Sequence, residues 1–156
     1  MYWTKSGASD GAVVRAEMDG SRKSTLFSRL KHPRGITIDF ESSSLYWACA
    51  GDDTIQRSNL EGRNGQTVLR LPKNTWPQGI TIFGNQICWG ANFLRKLQCS
   101  PKNQDEISTL YTGRHDIKHM TIVPGHNLHK NRTNHCAAKG CSGDCVLTAQ
   151  SSRCLS

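Results

Sequence analysis

Short runs of apolar and β-branched residues alternate with polar turns from Tyr2 to about residue 124. Within these runs, Ile, Val, Thr, Tyr and Trp recur with a period of two, and Gly, Asn, Asp or Ser stands between one run and the next. Alternation with a period of two is typical of β-strands, whereas amphipathic helices would show a period of 3.6. The pattern therefore predicts an all-β fold built from short strands.

The runs recur in a fixed order. Residues 32–39, HPRGITID, return 44 positions later as residues 76–83, WPQGITIF, and a weaker copy, KHMTIV, begins at Lys118. Each full copy is followed by an aromatic pair, Tyr46-Trp47 or Cys88-Trp89, then by an alternating segment and a short apolar stretch. Four strands in a unit of this length is the spacing of a β-propeller blade.

The units do not add up to a complete ring. Residues 1–28 supply about three strands, residues 29–71 and 72–114 supply one blade each, and residues 115–124 supply one further strand. Propellers close with roughly four to eight blades. Residues 1–124 are therefore expected to form about half of a propeller.

The aromatic phrase at the start of three units resembles a known repeat. Residues 2–4 (YWT), 46–48 (YWA) and 88–90 (CWG), with the two Pro-x-Gly-Ile-Thr-Ile stretches, resemble the YWTD repeats of the low-density-lipoprotein receptor family. The resemblance implies a partial six-bladed YWTD propeller followed by an EGF-like module. The fourth position, usually Asp in that family, is Lys5, Cys49 and Ala91 here. If that Asp ties neighbouring blades together, these units are expected to rely on packing instead.

The cysteines indicate an oxidising compartment, because four of the seven fall within residues 136–154. Cys88 and Cys99 belong on neighbouring antiparallel strands, where facing Cβ atoms about 4 Å apart can form a disulfide. A similar arrangement occurs in a blade of nidogen and of the epidermal growth factor precursor. Cys49 has no evident partner and is expected to be a small buried side chain.

The last four cysteines resemble the first four of an EGF-like module. That resemblance implies that Cys136 pairs with Cys145 and Cys141 with Cys154, although spacing alone allows three pairings. The module is expected to occupy residues 136–156 in truncated form, since Ser156 stands where a fifth cysteine would normally be. Residues 125–135 are expected to be a linker.

Metal binding is the competing interpretation of this region. Three histidines, His126, His129 and His135, lie just upstream of the cysteines, but the Cys-x4-Cys-x3-Cys spacing fits structural zinc sites poorly. Residues 117–143 contain no Asp or Glu that could bind calcium. Neither a metal nor a cofactor is expected.

The linker region carries two further candidate features. Asn131 begins an Asn-Arg-Thr acceptor pattern for N-linked glycan. Five of the six histidines crowd into residues 115–135, which predicts either a solvated loop or a pH sensor that gains charge near pH 6. These histidines are His115, His119, His126, His129 and His135.

Charge and composition narrow the range of functions that the chain is expected to have. The formal net charge of +8 comes from scattered Lys and Arg without a nucleic-acid-binding signature, and no apolar run is long enough to cross a membrane. A hydrolase site is disfavoured, since the inner-strand ends offer Asp39 once, followed by Phe83 and Val123.

The expected function is therefore binding rather than catalysis. The resemblance implies an extracellular or cell-surface fragment of a single-pass receptor, acting in endocytic uptake or signalling co-reception. Its expected partner is an extracellular protein, acidic in character, or the receptor's own ligand-binding repeats. The alternative is a nidogen-like matrix binding protein.

Overall fold

The structure is a computed structural model that describes residues 1–104, 106–121, 145–147 and 152–154. The chain divides into two compact units, Met1–Ile122 and Val123–Ser156. The first unit contains three antiparallel sheets, and the described part of the second contains one pair of short strands. Among the described residues, no helix has the length and apolar character needed to cross a membrane.

Each sheet of the first unit is a meander in which consecutive strands are neighbours. The first sheet contains β1 (Tyr2–Lys5), β2 (Gly11–Arg15) and β3 (Ser24–Leu30). The second contains β4 (Pro33–Asp39), β5 (Ser44–Cys49), β6 (Thr54–Asn59) and β7 (Gln66–Arg70), with a short 3-10 turn at Ala50–Asp52. The third contains β8 (Pro77–Phe83), β9 (Gln86–Ala91), β10 (Lys96–Pro101) and β11 (Ser108–Thr112).

These sheets confirm the prediction of an all-β partial propeller. The aromatic phrase lies on β1 in the first sheet and on β5 in the second, so β1 corresponds to the second strand of a complete blade. The first sheet therefore has three strands where the other two have four. Among the described residues, β1 pairs with β2 alone, and its other edge is free.

The strand expected over residues 115–124 is absent from the part of that range that the structure describes. Residues 115–121 take part in no strand ladder. Instead, the backbone from Ile117 to Met120 lies against Gly79 and Gly90 of the third sheet. This segment lies where the first strand of a further blade would lie. No second strand is next to it in the described part of the chain, so it forms no strand ladder.

The repeated tryptophans fill the spaces between sheets. Trp47 is fully buried among Val13, Leu45 and Cys49, where its ring centroid lies 4.8 Å from that of Phe27. Trp89 takes the corresponding place between the second and third sheets. Each tryptophan thus packs its own sheet against the preceding one, and truncating such a residue to Ala typically costs about 3–5 kcal/mol.

A glycine in the first strand of each complete sheet lets the chain that follows that sheet, β8 or the Ile117–Met120 segment, approach closely. A Cβ added to Gly35 would lie 2.7 Å from the backbone nitrogen of Ile80. At the equivalent Gly79 it would lie 3.0 Å from the carbonyl oxygen of Lys118. The glycine of the Pro-x-Gly-Ile-Thr-Ile motif is therefore required by the spacing between blades rather than by a turn.

One cross-strand position changes its chemistry from sheet to sheet. Strand register places the first aromatic position of each unit opposite a residue of the following strand. The pairs are Tyr2 with Arg15, Tyr46 with Arg57, and Cys88 with Cys99. In the second sheet the guanidinium carbon of Arg57 lies 5.7 Å from the centre of the Tyr46 ring, a cation–π contact. The third sheet replaces this contact with a disulfide.

Candidate functional site

The loops that enter β4 and β8 lie at the same end of the sheets as the β1–β2 loop and the β9–β10 turn. The His32 N–H donates to the Gly7 carbonyl at 2.7 Å, which joins the loop before β4 to the first sheet. The Asn92 N–H donates to the Trp76 carbonyl at 3.3 Å, which joins the β9–β10 turn to the loop before β8. We call this end the loop face, and its principal side chains are His32, Trp76, Phe93, Arg95, Arg114 and Lys118.

Three aromatic rings form a row on the loop face. The ring centroids of His32 and Trp76 lie 5.3 Å apart, and those of Trp76 and Phe93 lie 5.4 Å apart, both at tilted angles. His32 and Trp76 are half-buried, whereas 64% of Phe93 is exposed. Because Phe93 adjoins two further rings instead of being exposed singly, this row is a candidate contact surface.

The half-buried carboxylate of Asp53 fixes the position of Trp76. The Asp53 side chain accepts hydrogen bonds from the N–H groups of Asn74, at 2.8 Å, and Trp76, at 2.6 Å. Asp53 and Trp76 both have positive φ, 50° and 49°, a conformation that is unusual for residues other than glycine. The two hydrogen bonds hold the loop in this conformation and present the Trp76 ring beside Phe93.

This contact corrects one expectation from the sequence. The loss of Asp from the fourth position of the aromatic phrase implied that neighbouring blades rely on packing. Asp53, four residues beyond Cys49, instead ties the second sheet to the third through the backbone of the β7–β8 loop. A carboxylate therefore links these two blades from a different position in the loop.

A basic recess adjoins the aromatic row. It has a volume of about 420 Å³ and is lined by Arg95, Arg114, His115, Asp116 and Lys118. Three fixed positive charges face one carboxylate, so the recess favours a ligand that carries carboxylates or other anions. It is open rather than enclosed, which suits a side chain of a protein partner better than a small cofactor.

The opposite end of the second and third sheets is joined by a buried ion pair. The Lys102 Nζ lies 2.6 Å from Asp39 Oδ2, and only 15% and 4% of these side chains are exposed. Burial alone would raise the pKa of Asp39, but hydrogen bonds from Lys102 and Ser42 and the Lys102 charge outweigh burial and hold that pKa below its usual value. Asp39 is thus a structural anion rather than a proton donor.

The environment of Cys49 does not favour its use as a nucleophile. Cys49 is a free, fully buried thiol, and burial raises its pKa to about 12, so it stays protonated at physiological pH. No group of three or more His, Cys, Asp or Glu in the described part of the chain is arranged to hold a metal ion. The arrangement at the loop face can bind, orient and desolvate a partner.

The structure places some of the predicted site residues and leaves others outside its described range. Cys88 and Cys99 face each other on β9 and β10, with Cα atoms 4.1 Å apart, and form a disulfide. His115 lines the basic recess, and His119 is exposed on the segment beside Gly79. Outside the described residues lie Cys136, Cys141, Asn131, His126, His129 and His135.

The two remaining cysteines lie in the second unit. Strands β12 (Cys145–Leu147) and β13 (Ser152–Cys154) form an antiparallel pair, and Cys145 is opposite Cys154 in its register. Backbone register alone does not choose among the pairings that the spacing allows. The EGF-like module and its implied bonds therefore stay a prediction.

Relatives of known sequence share most of this chain. Low-density lipoprotein receptor-related protein 5 is 28% identical over 145 residues in Mus musculus and over 144 in Homo sapiens, in each case across 91% of this chain. Protein cueball of Drosophila yakuba is 30% identical over 109 residues, or 65% of this chain. No family model matches the sequence.

Solved structures share its fold. A chain in a crystal structure of a nidogen/laminin complex superposes with a TM-score of 0.65 and 27% identity over 79% of this chain. The blades of this chain are thus similar in sequence to segments of low-density-lipoprotein receptor-related proteins and of the nidogen chain. A luciferin-regenerating enzyme and the calcium-binding protein regucalcin of Agrobacterium tumefaciens, 13% and 12% identical, each give a TM-score of 0.61 and show the fold alone.

The similarity covers only part of each of these proteins. This chain spans 9% of the receptor-related proteins and 16% of cueball. It spans 48% of the nidogen chain and 40% of the regucalcin chain. The chain therefore corresponds to one segment of much longer receptor-family proteins and to about half of a solved propeller.

Sequence reasoning missed both parts of the loop face. The ring neighbours His32, Trp76 and Phe93 are far apart along the chain, and no local pattern joins them. A signal was present at Phe93, because an aromatic residue in the polar turn between β9 and β10 is atypical. A second signal was the Asp52-Asp53 pair in the loop after β5, since Asp often bonds to nearby backbone N–H groups.

Proposed function

We propose that this chain is a non-catalytic, extracellular ligand-binding segment of a protein like the low-density-lipoprotein receptor, acting in endocytic uptake or signalling co-reception. The observation that carries the proposal is the exposed aromatic row beside the basic recess on the loop face. Aromatic residues and arginine are the commonest anchors of protein interfaces, where they fill desolvated pockets on the partner.

The chemistry of the loop face favours an acidic protein ligand. Arg114 and Lys118 offer positive charge at the recess, while Trp76 and Phe93 offer apolar contact a short distance away. The receptor family's own calcium-binding ligand repeats, which carry many carboxylates, are a second partner of the same chemistry. In either case electrostatic attraction speeds association, and the aromatic row supplies most of the affinity.

Binding of a recombinant acidic ligand-binding repeat to the immobilised chain tests the proposal. Phe93→Ala is expected to weaken binding by about 30-fold, because interface hot spots typically contribute 2 kcal/mol or more. The matched control is Phe83→Ala, which removes a phenylalanine of similar exposure, 61%, from the opposite end of the third sheet. Equal losses in the two variants would show that the loop face is not the binding site.

The charge contribution is tested separately by reversing one residue at a time. Arg114→Glu is expected to slow association and to reduce its dependence on salt, because a cation of the recess is lost. Arg63→Glu, an exposed residue in the turn at the other end of the second sheet, serves as control. Identical salt dependence in the two variants would remove the recess from the proposal.

A nidogen-like matrix function is the alternative. The similarity to a chain solved in a nidogen/laminin complex and the Cys88–Cys99 disulfide favour it. Laminin offered to the immobilised chain distinguishes the two, since a matrix protein would bind it and deposit in the matrix, whereas a receptor segment would be followed by internalisation of its ligand. Retention of labelled chain in cell-free matrix would support the alternative.

Three features between His115 and Cys154 complete the proposal. Asn131 is proposed to carry an N-linked glycan, and mass spectrometry before and after enzymatic deglycosylation tests this. The five clustered histidines are proposed to release ligand near pH 6, and an unchanged pH midpoint in His119→Ala or His129→Ala would exclude them. The pairing of Cys136 with Cys145 and of Cys141 with Cys154 is open to peptide mapping.

A further inference from the structure

The loop face carries most of the positive charge of the first unit. Among the described residues of that unit, ten of the sixteen Lys and Arg side chains lie at strand ends or in loops of this face, together with four of the ten Asp and Glu side chains. At the opposite end of the sheets, six cations are matched by six carboxylates. The loop face therefore has a formal charge of +6, whereas the described residues of the opposite end are neutral in sum.

Ion pairs within the chain neutralise little of this charge. Lys5 lies 3.4 Å from Asp10, Lys31 lies 2.9 Å from Asp52, and both pairs are exposed. The other eight cations of the loop face have no carboxylate within ion-pair distance in the part of the chain that the structure describes. Three of these line the basic recess, Arg95, Arg114 and Lys118, and the remaining five are Arg29, Arg34, Arg70, Lys73 and Lys96.

The eight unpaired cations extend across all three sheets, and we call them the basic band. Arg29 lies near the end of β3, and Arg34 follows the first residue of β4. Arg70 ends β7, Lys73 lies in the loop that follows, and Lys96 begins β10. An acidic side chain bound in the recess would leave most of the basic band without a counter-charge.

We infer that the basic band binds a sulfated glycosaminoglycan. Such a glycan is a linear polyanion with sulfate or carboxylate groups along its whole length, so one glycan can contact cations on successive loops. The guanidinium groups of Arg29, Arg34 and Arg70 suit this ligand, because a guanidinium can donate two parallel hydrogen bonds to an oxyanion. Binding also releases the counterions that surround a polyanion, which makes the affinity strongly dependent on salt.

Other polyanions fit the surroundings of the chain less well. The Cys88–Cys99 disulfide indicates an oxidising compartment, in which nucleic acids are not the usual ligands. Anionic lipids are concentrated in the cytoplasmic leaflet of the plasma membrane. Binding of a glycan thus rests on the extracellular location proposed above, but not on the acidic protein ligand or on the aromatic row.

Fluorescence anisotropy of a labelled heparin oligosaccharide, titrated with the 156-residue chain at several salt concentrations, tests the inference. The logarithm of the dissociation constant should rise with the logarithm of the salt concentration with a slope of about 5 to 6, because each of the eight cations releases roughly 0.7 counterion. Hyaluronan, which carries carboxylates but no sulfate, should bind at least about tenfold more weakly, because its charges are farther apart.

A triple variant removes charge from the basic band outside the recess. Arg29→Gln, Arg70→Gln, Lys73→Gln changes three exposed residues and should weaken heparin binding about tenfold or more, with a slope lower by about 2. The charge-conserving variant Arg29→Lys, Arg70→Lys, Lys73→Arg should keep the slope of the native chain. Retention of binding in this second variant separates loss of charge from a change of fold.

The matched control removes the same charge from the opposite end of the sheets. It is Arg22→Gln, Arg63→Gln, Lys23→Gln, again at exposed positions. Arg22 and Arg29 both have positive φ, 50° and 57°, so each variant changes one residue in that conformation. The control should alter the affinity for heparin by less than about threefold, because salt screens charges on the far side of the chain.

Phe93→Ala distinguishes the glycan from the acidic ligand-binding repeat. It should leave heparin binding unchanged, since Phe93 is not part of the basic band, although it weakens binding of the repeat. A chain that binds the repeat but not heparin at physiological salt would overturn the glycan ligand alone. A chain that binds heparin but not the repeat would contradict only the proposed protein ligand.

Three further outcomes would overturn the glycan ligand. The first is an equal loss of heparin binding in the loop-face variant and its control, which would show unspecific attraction. The second is equal affinity for heparin and hyaluronan. The third is tighter binding to phosphatidylserine vesicles or to single-stranded DNA than to heparin, which would assign the basic band to a membrane or to a nucleic acid.

Discussion

The buried ion pair between Asp39 and Lys102 makes a quantitative prediction. Lys102→Met keeps the aliphatic stem but removes the ammonium group 2.6 Å from Asp39 Oδ2. Asp39 is only 4% exposed and would retain only the hydrogen bond from Ser42. Leaving one member of a buried pair uncompensated typically costs about 3–5 kcal/mol, so we expect the free energy of unfolding at pH 7 to fall by about 3 kcal/mol.

The pH dependence of this loss has a definite sign. In the native protein the pKa of Asp39 lies below its usual value, so its contribution to stability is present above the unfolded pKa of about 3.9 and is lost as the pH falls through the lower folded pKa. In Lys102→Met, burial dominates and raises the Asp39 pKa. The variant should therefore lose stability as the pH rises above about 4, the opposite trend at this site.

Urea unfolding followed by tryptophan fluorescence at pH 3.5, 5 and 7 measures both effects. Lys31→Met is the matched control, because the Lys31–Asp52 pair, at 2.9 Å, is exposed and should contribute less than about 1 kcal/mol. The double variant Asp39→Asn, Lys102→Met should recover most of the loss. A change below 1 kcal/mol in Lys102→Met, or the same pH slope as the native chain, would refute the reasoning.

Three further predictions concern single residues. Gly35→Ala is expected to destabilise the chain by about 2–3 kcal/mol, because its Cβ would meet the backbone of β8. Gly79→Ala should destabilise it less, because the backbone at Lys118 is farther away. Chemical unfolding of both variants measures the two free energies and ranks them. Asp53→Ala should cost about 2 kcal/mol and shift the fluorescence of Trp76, whereas its neighbour Asp52→Ala should change stability by less than 1 kcal/mol; similar losses in both would remove Asp53 from its proposed role. Cys49, with a pKa of about 12, should resist iodoacetamide at pH 8 in the native state and react only after unfolding, as peptide mapping would show; rapid native labelling would contradict its burial.

The repeat made the blades predictable. Trp47 and Trp89 each fill the space between two sheets, so their recurrence at the same place in the repeat carried the period of the fold, whereas the equivalent Trp3 of the first sheet is half-buried. Periodicity is a poorer guide to strand ends: the alternation of apolar and polar residues runs from Val14 to Met18, but β2 ends at Arg15 and Met18 is exposed. The turn at Glu17 to Ser21 ends that strand earlier than periodicity alone indicates.

The contacts between blades were not predictable from local pattern. Asp53 and Trp76 are 23 residues apart in the sequence, and Asp39 and Lys102 are 63 apart. Neither separation matches the repeat or the strand period, so no sequence pattern indicates these contacts. Each contact forms only because two strand ends from different sheets come together when the sheets pack against each other. The disulfide between Cys88 and Cys99 was accessible to sequence reasoning for the opposite reason, since both residues lie on consecutive strands of one hairpin.

The disulfide of the third sheet has a mechanical consequence. It joins residues 11 positions apart, and the turn that it encloses carries Phe93. When a chain is pulled from its ends, the covalent link bears the tension and the enclosed residues cannot lengthen. The corresponding hairpin of the second sheet, with Tyr46 opposite Arg57, has only noncovalent contacts at that position and can extend fully. When the chain is stretched, the turn that presents Phe93 therefore stays closed as long as the disulfide is intact.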